Sequence, residues 1–185
     1  MLKMVLESVS EIDDPVASRE IAKASLPEVN QAMASVEGMI QDVMQIGSNS
    51  KPNQEVASPD ALVDAAVNEL FRIFPEAEVG IEYDLNHRHC LCVDTIRVGR
   101  VFSNILVNAV QAIKAKGSLW IRTKEAAGFI EFRLGNKGSC IPKESLPKLF
   151  DAFFTAGKKG GTGLGLAIAR KVVRPLGGNL GGVSP

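Results

Sequence analysis

Between residues 15 and 47 apolar side chains recur at Ala22, Leu26, Val29, Met33, Val36, Ile40 and Val43, alternately four and three apart. That 3.5-residue period draws a seam along one side of a helix, and it suits a bundle or coiled coil between subunits better than the side of a small core. The alternative is a solitary helix folded against its own domain. Upstream, Asp13, Asp14 and Pro15 read as an acidic turn with proline at a first helical position, and Leu2, Val5, Leu6 and Val9 as the last turns of a preceding helix. Residues 1–48 are therefore expected to be part of a helical hairpin, mainly its second helix, that forms a homodimer.

The hydrophobic pattern then breaks. Residues 49–57, in a stretch rich in Ser, Asn and Pro, read as a linker, after which Ser58 to Asp60 supply caps for a helix running to about Phe74. Alternation at Val79 to Tyr83 and at Cys90 to Val93 predicts two strands. Thr95 to Ile113 is a helix with Val98, Val101, Phe102, Ile105, Leu106 and Val110 inward. Ser118 to Thr123 and Phe129 to Leu134 alternate around Ala126, Ala127 and Gly128, as a hairpin should. Lys143 to Phe150 reads as a short helix, Lys158 to Gly165 as a glycine-rich loop, and Leu164 to Val173 as a helix stopping near Pro175 and Gly177. Helices and antiparallel strands in this mixed order predict an α+β two-layer sandwich over residues 58–185.

Composition adds bounds. The 185 residues, 45% hydrophobic, suit one domain plus an appendage. Lys plus Arg and Asp plus Glu both number 21, leaving no excess positive charge to draw the chain onto nucleic acid or an anionic membrane. No apolar run approaches the roughly 18 residues of a membrane span, and no signal-peptide pattern opens the chain, so any anchor of the parent protein is expected outside it. Cys90, Cys92 and Cys140, odd in number, suit no disulfide framework and point to a reducing, cytoplasmic compartment. Zinc on the His87, His89, Cys90, Cys92 cluster is disfavoured, because neighbours on a strand face opposite sides. Cys90 and Cys92 read as small apolar residues on one strand face.

Two features carry chemistry. Asn104 and Asn108 lie four apart on a helix face flanked by core positions. An unpartnered half-buried carboxamide costs about 1 to 3 kcal/mol, so the pair requires backbone partners or a polar ligand. The run Gly160-Gly161-Thr162-Gly163-Leu164-Gly165-Leu166 leads straight into a helix. Such backbone approaches a polyphosphate closely, and the helix N-terminus favours its charge, although glycines also serve plain turns.

In order, the asparagine helix, the Gly138 loop with Ile141 and Pro142, the Phe150 to Thr155 segment and the Gly161 to Leu166 loop resemble the N, G1, F and G2 boxes of the catalytic ATP-binding domain of two-component sensor histidine kinases. The resemblance covers about residues 58 to 180 and implies the two-layer sandwich of the GHKL ATPases. It also implies ATP and Mg²⁺ as ligands and a response regulator as partner. Under it, Asn108 holds the metal against the triphosphate with Asn104 beside it, and Gln111 lies on the same helix. Asn136, Gly138 and Ile141 belong to the base-binding box, and Phe153, Thr155 and Lys159 to a short lid over residues 150–160. Gly161, Thr162, Gly163 and Gly165 let the lid fold over nucleotide, with Leu164 and Leu166 beneath. Lys158 and Lys159 meet phosphate charge or are merely solvated.

Hydrolase relatives of the gyrase, Hsp90 and MutL type place a glutamate base four residues before the metal-binding asparagine. Here that position is Asn104, which cannot accept a proton at neutral pH, so transfer to a side chain is expected over hydrolysis. The usual Asp-x-Gly-x-Gly reads Asn136-Lys137-Gly138-Ser139-Cys140. The adenine contact loses its charge, and Cys140 puts a Cβ where positive φ or close approach is expected, so weakened binding follows. The family's acceptor histidine sits on the first hairpin helix, whereas His87 and His89 lie in the ATP-binding domain. The chain reaches Pro185 before the family's closing strands, so a trimmed domain with an exposed last edge is expected. A pseudokinase or phosphotransfer scaffold is the alternative.

Overall fold

The computed structural model describes residues 51–155 and 162–183, with six isolated helical positions nearer the N-terminus: Lys23, Ser25, Leu26, Val29, Ile40 and Met44. The chain divides into two units, Met1–Gly47 and Ser48–Pro185. In the first, the seam residues Leu26 and Ile40 are 53% and 54% exposed and Val29 is half-buried. The other seam positions, the upstream helix and the acidic turn lie outside the described residues.

The second unit begins with strand β1 (Glu55–Ala57) and helix α1 (Pro59–Ile73). The Ser58 side chain accepts from the Asp60 N–H at 3.2 Å, and Pro59 takes a first-turn position that needs no donor. Leu62, Val63, Ala66, Val67 and Leu70 form its buried stripe. Strands β2 (Glu78–Asn86) and β3 (Leu91–Val93) lead to helix α2 (Thr95–Ala112). Asp94 caps α2: its carboxylate accepts from the Arg97 N–H at 3.0 Å, from the Asn53 N–H at 3.0 Å, and pairs with Arg97 Nε at 3.2 Å. A buried acid is thus fully partnered and holds the start of the unit to the helix that carries Asn104 and Asn108. Strands β4 (Lys116–Ala126) and β5 (Phe129–Lys137) follow, then helix α3 (Gly165–Val173).

β2, β4 and β5 form one sheet in the order β2-β4-β5, and β1 pairs antiparallel with β3. The β4–β5 turn has Ala127 at φ 50° and Gly128 at φ 79°, the two positive values that a tight hairpin demands. On one face Leu119 and Ile121 are fully buried against Val101, Phe102, Leu106 and Val110 of α2 and the stripe of α1, and α3 adds Ala169. The rings of Phe102 and Phe132 lie 4.8 Å apart across the layers. On the other face the Trp120 ring covers Gly135, and the Arg122 guanidinium sits 5.0 Å from its centroid.

The sandwich agrees with the α+β expectation, with four differences. Residues 55–57, within the expected linker, form β1, because Val56 finds a ladder partner at Cys92. β2 and β4 run parallel, Ile81 opposite Leu119, because α2 crosses between them. The expected helix at Lys143 to Phe150 is only a 3₁₀ turn, Leu146–Lys148, since Pro147 lacks the N–H to continue an α-helical ladder. Cys90 precedes β3 and, like Cys92, is exposed, so neither is an apolar core residue.

Candidate nucleotide site

α2 presents Asn104, Asn108 and Gln111 at i, i+4 and i+7, on one face. The two asparagines are half-buried, and both NH₂ groups end on backbone. Asn104 Nδ2 donates to the Gly165 carbonyl at 3.0 Å, and Asn108 Nδ2 donates to the Asn104 carbonyl at 2.8 Å. Of the two partner types the sequence left open, backbone takes the amide nitrogens. A Cβ on Gly165 would come 3.3 Å from Asn104 Cγ and Oδ1, so glycine lets α3 start directly over that carboxamide. Gln111 is exposed.

The F-type and G2-type segments meet through backbone. The Phe153 N–H donates to the Gly163 carbonyl at 2.9 Å. Gly163 has φ 67°, and a Cβ there would lie 2.5 Å from the Phe153 carbonyl carbon, so glycine is required both for conformation and for approach. Phe153 itself is left-handed, φ 67°, with its ring 73% exposed. For a bulky side chain that is a strained geometry, of the kind found at functional sites. Thr162 Oγ1 accepts from the Leu164 N–H at 3.2 Å, and Leu164 is buried beneath the loop while Leu166 is half-buried. Thr155 is exposed. Lys158, Lys159 and Gly161 lie outside the described residues.

Asn136 lies near the end of β5, with Gly138 and Ile141 just after it, and the same strand packs Phe132 on Phe102 of α2. Asn136 Nδ2 donates to Ser139 Oγ at 2.7 Å, which leaves the amide oxygen as its other pole. Gly138 takes φ 105°, so the first glycine of the motif is conformationally needed. Cys140 is different from expectation. Among the described residues other than glycine, positive φ occurs at Lys114, Ala115, Ala127 and Phe153, and Cys140 is exposed, so its side chain imposes no left-handed strain.

Sequence reasoning missed two partners. Ser139 is one, although a hydroxyl three residues after an Asn at a strand end is a visible signal. His87 is the other. Its side chain is only 8% exposed, with Nδ1 2.9 Å from Thr123 Oγ1 and Nε2 3.4 Å from Asp60 Oδ2. It joins α1 to a buried threonine of β4. His89 instead pairs at the surface with Glu125, and the Arg88 N–H together with His89 holds the Glu125 carboxyl below the usual range.

Residues 93–182 match the family of histidine kinase-, DNA gyrase B- and HSP90-like ATPases. The domain built on α2, the hairpin and α3 is of this class. The chain is 28% identical over 131 residues to the sensor protein VanSC of Enterococcus gallinarum, covering 68% of this chain and 36% of that protein. Among solved structures, the mycobacterial sensor histidine kinase MprB superposes with a TM-score of 0.59 at 25% identity, covering 67% of this chain and 80% of that one. The histidine kinase ThkA in complex with the response regulator protein TrrA shares the fold, with a TM-score of 0.75 at 19% identity over 96% of this chain and 51% of that one. The chain thus spans little more than a third of VanSC. Among the described residues no helix is long and apolar enough to cross a membrane.

Proposed function

We propose that this region holds Mg-ATP against the Asn104 and Asn108 face of α2 and the start of α3, and presents the γ-phosphoryl group to a histidine imidazole on a dimerisation helix, for relay to a response regulator. The observation that carries this is the Asn104 to Gly165 hydrogen bond at 3.0 Å. It fixes a carboxamide, which cannot take a proton from water, beside the glycine-started helix where a triphosphate would lie. Asn108 suits a hard cation: its nitrogen is anchored on backbone, and Mg²⁺ takes oxygen ligands from one or two side chains together with substrate phosphates. The ion supplies charge neutralisation at the phosphates. The side chains of this chain contribute positioning, since phosphoryl transfer asks chiefly for alignment and electrostatics. The two histidines of the sequence are poor acceptors, His87 because it is buried between Asp60 and Thr123, so the acceptor comes from another segment.

Titration with a fluorescent ATP analogue tests this. Saturable binding is expected with Mg²⁺, reduced at least tenfold without it, and Asn108→Ala should erase the difference. No binding in either condition would favour the pseudokinase reading, to which Asn136 in place of aspartate already points.

We further infer a homodimer through the N-terminal segment, supported by the exposure of Leu26 and Ile40 on a sequence seam with a 3.5-residue repeat. Sedimentation of the whole chain should show a dimer at high micromolar concentration, and removal of residues 1–48 should leave a monomer. A monomeric whole chain would refute the interface. The three free, exposed cysteines suit the reducing cytoplasm.

A further inference from the structure

A cavity of about 530 Å³ opens between the Phe150–Ala152 segment and the last turns of α3, with Phe150, Ala167 and Pro175 as apolar wall. Arg170, Lys171 and Arg174 converge on it, against a single acid, Asp151. α3 carries no carboxylate at all. Three arginines elsewhere pair with acids: Arg72 with Glu69, Arg97 with Asp94, Arg133 with Glu131. Arg170 and Arg174 have none among the described residues, and the Arg170 guanidinium instead lies 5.8 Å from the Phe150 ring centroid. Four residues apart at the C-terminal end of α3, they share a face; the helix end itself favours basic side chains, and an anion between them would further relieve their mutual repulsion.

We propose that this cleft binds a small phosphate ester bearing hydroxyl groups, such as a sugar phosphate. Planar guanidinium forks match phosphate oxygens bidentately, and Lys171 adds a point charge. The volume lies within the range of small-molecule pockets. Asp151 selects within the class. An ionised carboxylate only accepts hydrogen bonds, so it opposes a bare anion and favours a ligand that brings a hydroxyl donor. The Phe150 ring and Arg170 offer the adjoining flat surface against which a sugar ring packs.

The test is titration of the whole, isotopically labelled chain with ribose 5-phosphate in the absence of Mg²⁺, following the amides of Asp151, Ala152 and Ala167 by NMR. Saturable shifts are expected at these positions, with the ester binding at least threefold more tightly than inorganic phosphate. In Arg170→Gln/Arg174→Gln affinity should fall at least tenfold. Arg174→Gln alone, at an exposed position that leaves the Phe150 contact intact, should fall at least threefold, which guards against a folding defect in the double variant. Shifts unchanged by either variant would overturn the proposal. So would shifts confined to Asn104, Asn108 and Gly165, which would place the phosphate in the nucleotide site. Inorganic phosphate binding as tightly as the ester would remove the role given to Asp151. Binding to phosphatidylglycerol vesicles without binding of the ester would assign the charges to a lipid surface instead.

Discussion

Gly163→Ala is expected to lower stability by about 2 to 5 kcal/mol and to abolish nucleotide binding. The left-handed backbone alone costs an alanine roughly 1 to 2 kcal/mol, and forcing a methyl into packed backbone adds about 1 to 3. The overlap is with main chain, 2.5 Å from the Phe153 carbonyl carbon, so no side-chain rotation relieves it. The hydrogen bond from the Phe153 N–H to the Gly163 carbonyl must then break or lengthen, and these two backbone segments move apart. Gly138→Ala is the control: it shares the positive φ, but nothing lies within 4 Å of its added Cβ, so only the conformational cost applies. Thermal denaturation should show a fall for Gly163→Ala at least twice that for Gly138→Ala. Equal falls would mean that the close approach at Phe153 carries no weight.

Asn136→Asp is expected to tighten ATP binding several-fold to roughly tenfold and to sharpen its preference over GTP. A charge-assisted hydrogen bond from the adenine amino group is worth about 1.5 to 3 kcal/mol, against about 1 for a neutral amide. The difference of order 1 kcal/mol converts to that range of affinity. Selectivity in the unmodified chain is expected to be blunted, and the Asn136–Ser139 contact gives the reason. Asn136 Nδ2 donates to Ser139 Oγ, but a hydroxyl both donates and accepts, so it satisfies the amide in either orientation. One orientation presents oxygen to adenine and the other presents nitrogen to guanine. A carboxylate has no such second face. Since Cys140 is exposed and free of positive φ, Cys140→Gly should change affinity less than threefold. Isothermal titration of the parent and both variants with Mg-ATP and Mg-GTP decides. Tight, ATP-selective binding by the unmodified chain would remove Asn136 as the weak point, and a large gain from Cys140→Gly would mean that the cysteine obstructs the pocket.

What was legible in the sequence was what local chemistry fixes. Ser58 and Pro59 announce the start of α1, the inward stripe of α2 follows its helical period, and Ala127 and Gly128 mark the hairpin. What was not legible depends on distant partners. β1 is three residues long and exists because Cys92 and its neighbours lie alongside it. The parallel pairing of β2 with β4 is set by the crossover of α2, which no alternation of side chains reports. Pro147 carries a local signal for the 3₁₀ turn, set against an apolar spacing around it that suggests a longer helix. For the site, spacing showed two asparagines and a glycine loop but not that Asn104 reaches Gly165 across 61 residues of sequence. The resemblance to a kinase family supplied that proximity. The left-handed Phe153 had no signal at all, because strain in a bulky residue comes from its surroundings.

The sheet has a bearing on how the protein behaves as a colloid. Among the described residues β2 and β5 are paired on one side only, each with nine residues of backbone that another chain could extend. β2 itself carries only acids, Glu78, Glu82 and Asp84, but Glu78 pairs with Lys116 and Glu82 with Lys137, so charge opposes two copies meeting along this edge only weakly. β5 carries Glu131, Arg133 and Lys137, a mixed set with little repulsion of its own, and exposed Phe129 at its end. Resistance to precipitation is therefore lopsided. The β2 edge keeps a small excess of acid, whereas the β5 edge has none and ends in an exposed aromatic ring, so the β5 edge is where association between misassembled copies would start.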